Sequence, residues 1–425
     1  MKKLLKGGRV IDPSLKLDGE YDVLIEGNHI EGVELRGGFD SVDGLKVIDV
    51  KGQIVTPGLV DVHVHLRDPG QEWKETIITG AEAAVAGGFT DVFCMPNTNP
   101  INDSAAVTEY IIERASSSSC NVWPIGAISM KSQGKSLAPF GELTEAGCIG
   151  FSDDGYPVMN AQLMRRALEY CSMLGRVLCV HEEDTNLSDG FSMNESALSL
   201  KLGLKGMPDA AENVMIARDI ELARLTRGRV HFCHVSTARG VCLIRRAKED
   251  GIPVTAEVSP HHLFLDETEV EGFNTQAKMS MPLRSQNDIE ALLEGLRDGA
   301  IDCIASDHAP HEADSKNIEF DRASFGILGL QTTVPILFEL VHNGKLTLLQ
   351  MVESLTNKAW GSFDLAPNTL KKGAIANISV LNPSHEFELT TQMNRSKSVN
   401  SPFWGRKFKG CASYTFVKGD MKFSL

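Results

Sequence analysis

At 425 residues the chain is too long for one small domain; it suits a large α/β barrel with an added module, or about two to three ordinary domains. Its 42% hydrophobic and 23% charged residues are an ordinary globular balance with material for a sizeable core. A formal charge of −14 weighs against a nucleic-acid surface and against binding to anionic lipid, while leaving room for an anionic substrate met by a few arginines.

The first residues, Met1 to Gly8, are basic but carry no apolar core of signal-peptide length, and no later stretch is long enough to span a membrane. Residues 1–53 read as short strands (Lys3–Ile11, Tyr21–Glu26, His29–Val33, Lys46–Asp49) separated by Gly and Asp turns. Eight β-type runs follow: Ile54–Leu66, Thr90–Met95, Val122–Ser129, Gly147–Ser152, Arg176–His181, Val230–Val235, Pro253–Val258 and Ala300–Ser306. Helical spacing of apolar residues marks the intervening stretches, among them Glu75–Ala86, Ala161–Leu174, Ala210–Arg227 and Ile289–Asp298.

Strands alternating with helices predict a parallel (β/α)8 barrel over residues 54–365, with an open doubly wound sheet as the alternative. No G-x-G-x-x-G follows an early strand, so nothing favours a dinucleotide fold. Residues 366–425 return to short strands (Ile378–Leu381, Arg406–Phe408, Ser413–Val417), which predicts one small β module composed from both termini. Nine cysteines without a C-x-x-C fit buried thiols in a reducing cytoplasm.

The strongest chemical signal is Asp61-Val62-His63-Val64-His65-Leu66-Arg67-Asp68-Pro69-Gly70. Residues i and i+2 of a strand share a face, so His63 and His65 point together into the barrel and offer two nitrogens to a cation such as Zn²⁺. Pro69-Gly70 then turns the chain at the strand's C-terminal end, where barrel active sites lie. An H-x-H strand alone is also what a pair of satisfied histidines beside a turn would look like. Other strand ends repeat the signal, with Asp153-Asp154, His181-Glu182-Glu183, His234-Val235-Ser236-Thr237 and Asp307-His308-Ala309-Pro310-His311 each following an apolar run.

Together with Met95-Pro96-Asn97-Thr98 and Phe151-Ser152-Asp153-Asp154-Gly155, these motifs resemble the type I bacterial dihydroorotases of the amidohydrolase superfamily, in order and spacing over nearly the whole chain. The resemblance implies a binuclear site with two Zn²⁺ per subunit: His63, His65 and Asp307 on one ion, His181 and His234 on the other. Many amidohydrolases bridge the ions with a carboxylated lysine, whose equivalent here is Ser152. An acidic neighbour must then bridge, Asp154 by family spacing or Asp153 as the second choice. Asp307 is the expected catalytic base and acid, moving a proton between water and the amide nitrogen.

The same resemblance implies substrate contacts from Arg67, Asn97, Ser280, His311, Phe325 and Gly326, the last two supplying backbone groups to a ring. Arg67 lies two residues past the second histidine on the same strand face, suited to a bidentate carboxylate contact. Ser280 stands where the family commonly has Asn, and Gln331 where it usually has Glu. Charge-rich Pro310–Phe325 reads as a lid.

The implied activity is zinc-dependent interconversion of N-carbamoyl-L-aspartate and (S)-dihydroorotate in pyrimidine synthesis. The alternatives are a related cyclic amidase acting on hydantoins or allantoin, or a dihydroorotase-like subunit scaffolding aspartate transcarbamoylase. A homodimer is expected, with no nucleic-acid or membrane partner.

Overall fold

In the computed structural model, which describes residues 2–40 and 42–425, the apolar run Ile54–Leu66 is two strands rather than one. Met1 and Ser41, within the expected N-terminal segment 1–53, lie outside the described residues. Proline has no N–H to extend a ladder, and the break falls at Pro57-Gly58. Gly58 is there for close approach: a Cβ on it would sit 2.0 Å from Thr90 Oγ1. Ile54–Pro57 therefore leaves the barrel and pairs with Arg9–Val10 on one side and Ile378–Leu381 on the other.

The barrel strands, labelled in chain order, are β1 (Leu59–Val64), β2 (Phe89–Cys94), β3 (Asn121–Pro124), β4 (Phe151–Ser152), β5 (Leu178–Val180), β6 (Val230–Phe232), β7 (Val254–Val258) and β8 (Cys303–Ile304). Every ladder between neighbours is parallel. Two bridges complete the ring, Gly126 with Phe151 between β3 and β4, and Val64 with His308 where β8 returns to β1. His65 N–H donates to His308 O at 2.9 Å across that last seam. A closed ring excludes the open-sheet alternative.

Helices Ile77–Gly87, Ala105–Ala115, Phe140–Ala146, Ala161–Leu174, Ala210–Thr226, Ala238–Glu249, Gln286–Asp298 and Thr333–His342 follow the eight strands in turn. Ala161–Leu174 shows why such stretches are legible. Asn160 caps its first N–H groups and Gly175 ends it at φ 63°, while Met164, Ala167, Leu168 and Cys171 form the buried stripe.

The terminal sheet runs Asp420–Ser424, Lys407–Val417, Ile378–Glu388, Ile54–Pro57, Lys2–Asp12, Leu17–Glu26, His29–Leu35, with Lys46–Asp49 also on Lys2–Asp12. The predicted Arg406–Phe408 and Ser413–Val417 are thus one continuous strand. Its core joins Val10, Val23 and Ile25 from the N-terminal side to Ile378, Val380 and Phe416 from the C-terminal side.

Buried Ser379 fastens this sheet to the barrel: its hydroxyl donates to Gly88 O (2.6 Å) and accepts from Leu59 N–H (3.1 Å). Replacing Ser379 by Ala strands both backbone groups, and is expected to lower stability by about 1–3 kcal/mol in urea unfolding. A change below a few tenths of a kcal/mol would show that the two bodies do not depend on this contact.

Candidate metal centre

Five strand ends bring the chemistry together. His63 is the penultimate residue of β1 and His65 lies just past its end, with ring centroids 5.2 Å apart. Beyond β4, Asp154 Oδ1 lies 3.5 Å from His63 Nε2, and Oδ2 lies 3.4 Å from His65 Nε2. Asp154 Oδ1 also lies 3.3 Å from His234 Nε2 after β6 and 3.8 Å from His181 Nδ1 after β5. Asp307, after β8, places Oδ1 3.0 Å from His65 Nε2 and 3.6 Å from His63 Nε2. Two overlapping groups result, His63–His65–Asp154 and Asp154–His181–His234.

Four ligands at about 2.0–2.2 Å from a tetrahedral cation lie about 3.3–3.6 Å from one another. The separations here, 3.0–3.8 Å, cluster around that spacing. His63 Nε2 is buried and has no hydrogen-bond partner. The donor set, imidazole nitrogen with carboxylate oxygen, suits zinc and similar divalent ions. These residues fit the metal that the family resemblance implies.

Asp153 faces elsewhere: its Oδ1 accepts from Ile128 N–H (2.9 Å) and Ser129 N–H (3.0 Å), and its Oδ2 from the Ser129 hydroxyl. Of the two aspartates, only Asp154 lies among the histidines. Ser152, at the lysine position, accepts from Asp154 N–H at 3.0 Å and shapes the turn.

Burial by itself would raise the Asp154 carboxyl; the field of His63 and a hydrogen bond from His234 outweigh it and hold the group well below the usual carboxylate range. Arg67 (φ 60°), His234 (φ 33°) and Asp307 (φ 44°) all adopt left-handed backbone. Each such residue costs on the order of 1–3 kcal/mol, supplied by the surrounding fold.

The far ring nitrogens are also held. His63 Nδ1–H donates to Glu257 Oε1 at 2.6 Å, His65 Nδ1–H to Asn97 Oδ1 at 2.9 Å, and His181 Nε2–H to Glu183 Oε2 at 2.9 Å. Each bond fixes the tautomer that aims the other nitrogen into the cluster. Glu257 belongs to β7 and is not among the site residues expected from the sequence. Its second oxygen receives His231 Nε2 at 3.0 Å, and Oε1 also receives His234 N–H at 3.3 Å. One signal was available: a lone charged residue, Glu257, inside an otherwise uncharged strand needs a buried partner.

A cavity of about 460 Å³ opens over the cluster. Arg67, Asn97, Ser280, His311 and Phe325 line it; Gly326 does not. Gly326 N–H donates to Lys278 O, and its carbonyl accepts from Lys316 Nζ and Asn400 Nδ2, each at 3.0 Å. Its polar groups are hydrogen-bonded within the wall, behind Ala309 and His311. Asn97 gives its carbonyl oxygen to His65, leaving its NH₂ for the cavity.

Segment Pro310–Phe325, expected as a lid, is anchored by buried lysines. Lys316 Nζ donates to Ser324 O (2.9 Å), and Lys278 Nζ to Phe320 O (2.7 Å) and Asp321 O (3.0 Å). Gln331 also proves apt: it donates to Met393 O and accepts from Arg395 N–H, a pair that an ionised Glu could not serve.

A closed parallel barrel, a sheet from both termini and a histidine–aspartate cluster at the strand ends define a metal-dependent cyclic amidohydrolase. L-hydantoinase (dihydropyrimidinase) from Arthrobacter aurescens shares the fold at a TM-score of 0.88 and 24% identity, covering 99% of this chain and 95% of that one. Dihydropyrimidinase from Brevibacillus agri matches at 0.86 and 23%, with coverage of 99% and 95%.

Sequence carries the relation further. A family profile described as Dihydro-orotase-like matches residues 52–239. The chain is 49% identical over 422 residues to a dihydroorotase from a Geobacter species, covering 99% of each. It is 49% identical over 420 residues to the dihydroorotase of Syntrophus aciditrophicus, covering 99% of this chain and 98% of that one. The chain belongs to the dihydroorotase family.

Because Glu257 orients His63 and braces His234, Glu257→Gln is expected to weaken metal binding about 10- to 100-fold in chelator competition. Unchanged affinity would deny the carboxylate any part in the metal centre.

Proposed function

We propose that the chain catalyses the reversible cyclisation of N-carbamoyl-L-aspartate to (S)-dihydroorotate and water, with two Zn²⁺ per subunit. In this reading His63, His65 and Asp307 hold one ion, His181 and His234 the other, and Asp154 is shared. The separations around Asp154 support a shared ligand, since each of its oxygens faces at least one histidine. When bound, the ions lower the pKa of water toward neutrality and polarise the reacting carbonyl.

Asp307, the catalytic residue, sits at the cavity wall beside His65. In hydrolysis its carboxylate takes the proton of the attacking water and passes it to the departing amide nitrogen. In synthesis it takes the proton of the ureido nitrogen as that atom attacks the side-chain carboxyl carbon. It then returns the proton to the departing oxygen.

One observation carries the substrate assignment: a buried guanidinium with no protein carboxylate beside it. Among the described residues, Arg67 has polar contacts with Pro310 O (3.3 Å) and His311 Nε2 (3.4 Å). Burial and then the charge of Arg67 lower the His311 pKa to about 2, so the ring is neutral and accepts from Arg67. A buried cation so placed is stabilised by an anion entering from the cavity, and dihydroorotate carries a carboxylate. Asn97 and Ser280 supply further polar groups, and Phe325 an apolar face stacked on Phe191 at 4.8 Å. A hydantoin has no carboxylate to meet this corner.

The residues proposed here to carry the reaction all belong to this chain. A homodimer, or assembly with aspartate transcarbamoylase, would add to that activity. Among the described residues no helix is long and apolar enough to cross a membrane; an odd number of cysteines without a C-x-x-C supports the proposed cytoplasmic setting.

Zinc-loaded protein is expected to interconvert carbamoyl-aspartate and dihydroorotate, and chelation or His63→Ala to abolish turnover. Inert dihydroorotate alongside hydrolysis of a hydantoin would overturn the assignment. Arg67→Met should raise KM for dihydroorotate by about 10- to 100-fold, the value of a charge-assisted contact. An unchanged KM would remove its anchoring role.

A further inference from the structure

Asn400 lies in the C-terminal segment ahead of the strand Lys407–Val417, remote in sequence from the barrel, yet it is buried against the barrel mouth. Its amide nitrogen donates to Ala309 O at 2.9 Å and Gly326 O at 3.0 Å. Its amide oxygen accepts from His311 N–H at 2.9 Å, and its own backbone carbonyl accepts from Leu328 N–H at 2.9 Å. One residue thus ties the loop after β8 to the segment 326–328.

Two of its side-chain partners, Ala309 and His311, line the cavity, and the third, Gly326, packs against them. A Cβ on Gly326 would meet Ala309 O at 2.6 Å and His311 Cδ2 at 2.7 Å, so the two layers are in contact. Neighbours of Asn400 fasten the same segment to the loop after β1. Ser398 Oγ donates to Lys74 O at 2.6 Å, Lys397 N–H donates to Glu75 Oε1 at 3.2 Å, and the Ser396 hydroxyl donates to Glu75. The C-terminal segment therefore straps together the two loops that carry Arg67 and His311.

We propose that Asn400 is a positioning residue for substrate recognition. It holds the His311 backbone, and through it the imidazole, at the distance from Arg67 that lets both groups meet one carboxylate of the substrate. Asn400 touches no reacting atom. This inference rests on the reading that Arg67 and His311 receive the dihydroorotate carboxylate.

A side chain that merely closed a loop would affect stability without separating KM from kcat. In the zinc-loaded full-length protein, Asn400→Ala is expected to raise KM for dihydroorotate about ten-fold or more while kcat falls less than about three-fold. Metal affinity in chelator competition should be unchanged. The double variant Asn400→Ala/His311→Ala should be no worse than His311→Ala alone, because the two act through one contact. A fall in kcat at constant KM, or effects that multiply in the double variant, would overturn the proposal.

Should the alanine variant be recovered unfolded, Asn400→Leu, close to asparagine in shape, carries the same test, losing the acceptor for His311 N–H along with both donors. It must show the same split, or the proposal fails. Wild-type protein that does not turn over dihydroorotate would refute the underlying function. Wild-type turnover with an unaltered KM in the variants would refute Asn400 alone.

Discussion

Everything at the barrel mouth depends on one carboxylate, Asp154, shared among four buried imidazoles. Left to burial, an aspartate there would be protonated; the histidines reverse this and keep it ionised. The converse holds for His63. Burial opposes a charge on its ring, yet Asp154, Glu257 and Asp307 outweigh burial and raise its pKa well above the ordinary value. A cluster with this balance calls for added positive charge, and cations answer that need without filling the space with protons. The fold's share is to hold these groups together despite the cost of burying them. Closing β8 onto β1 does so directly, because His65 N–H bonds His308 O while Asp307 is the next residue along.

The support behind the cluster is as specific as the cluster itself. Glu257 is fully buried and held far below the usual carboxylate range: burial opposes its ionisation, but His63 and His231 overcome it. Its Oε1 receives both the His63 ring and the His234 backbone, so one oxygen joins the two halves of the proposed centre. Strand β7 thus lends no ligand, but it sets the angle at which two others meet the site. The same logic separates the two aspartates after β4, since Asp153 spends both oxygens on the end of β3.

How much of this was legible in the sequence follows the range of the interactions. Helix Ala161–Leu174 was predicted to the residue because its cap, its stop and its apolar stripe are all local. Strands β4 and β8 read several residues longer in the sequence, and backbone bonds to the neighbouring strands do continue beyond their regular ladders, as from Ile149 N–H to Pro124 O and from Ala305 N–H to Val258 O. The division at Pro57-Gly58 was visible as a dipeptide but not as a change of sheet, which depends on Ile378–Leu381 more than 300 residues away. Among functional groups, the histidines and aspartates announced themselves by following apolar runs. Glu257 and Asn400 did not, because their meaning lies in what they touch. Gly326 reads in the sequence as a glycine free to approach a ring, and only the fold shows the hydrogen bonds that its backbone makes within the wall.

Function on this scaffold is set at the mouth, since hydantoinases at 24% identity or less share the fold. A metal cluster alone can serve many cyclic amides; what narrows the choice is the charge beside it. The chain is acidic overall, at −14, yet its cavity holds a buried arginine paired with a histidine kept neutral. Low dielectric makes that single positive charge count far more than the distant surface, which solvent and salt screen. The wall that bears it is tied down through Gly326, Asn400 and the strap from the C-terminal half of the sheet. A module built from both termini, which looks peripheral in topology, therefore reaches the corner that the proposed reading assigns to the substrate carboxylate.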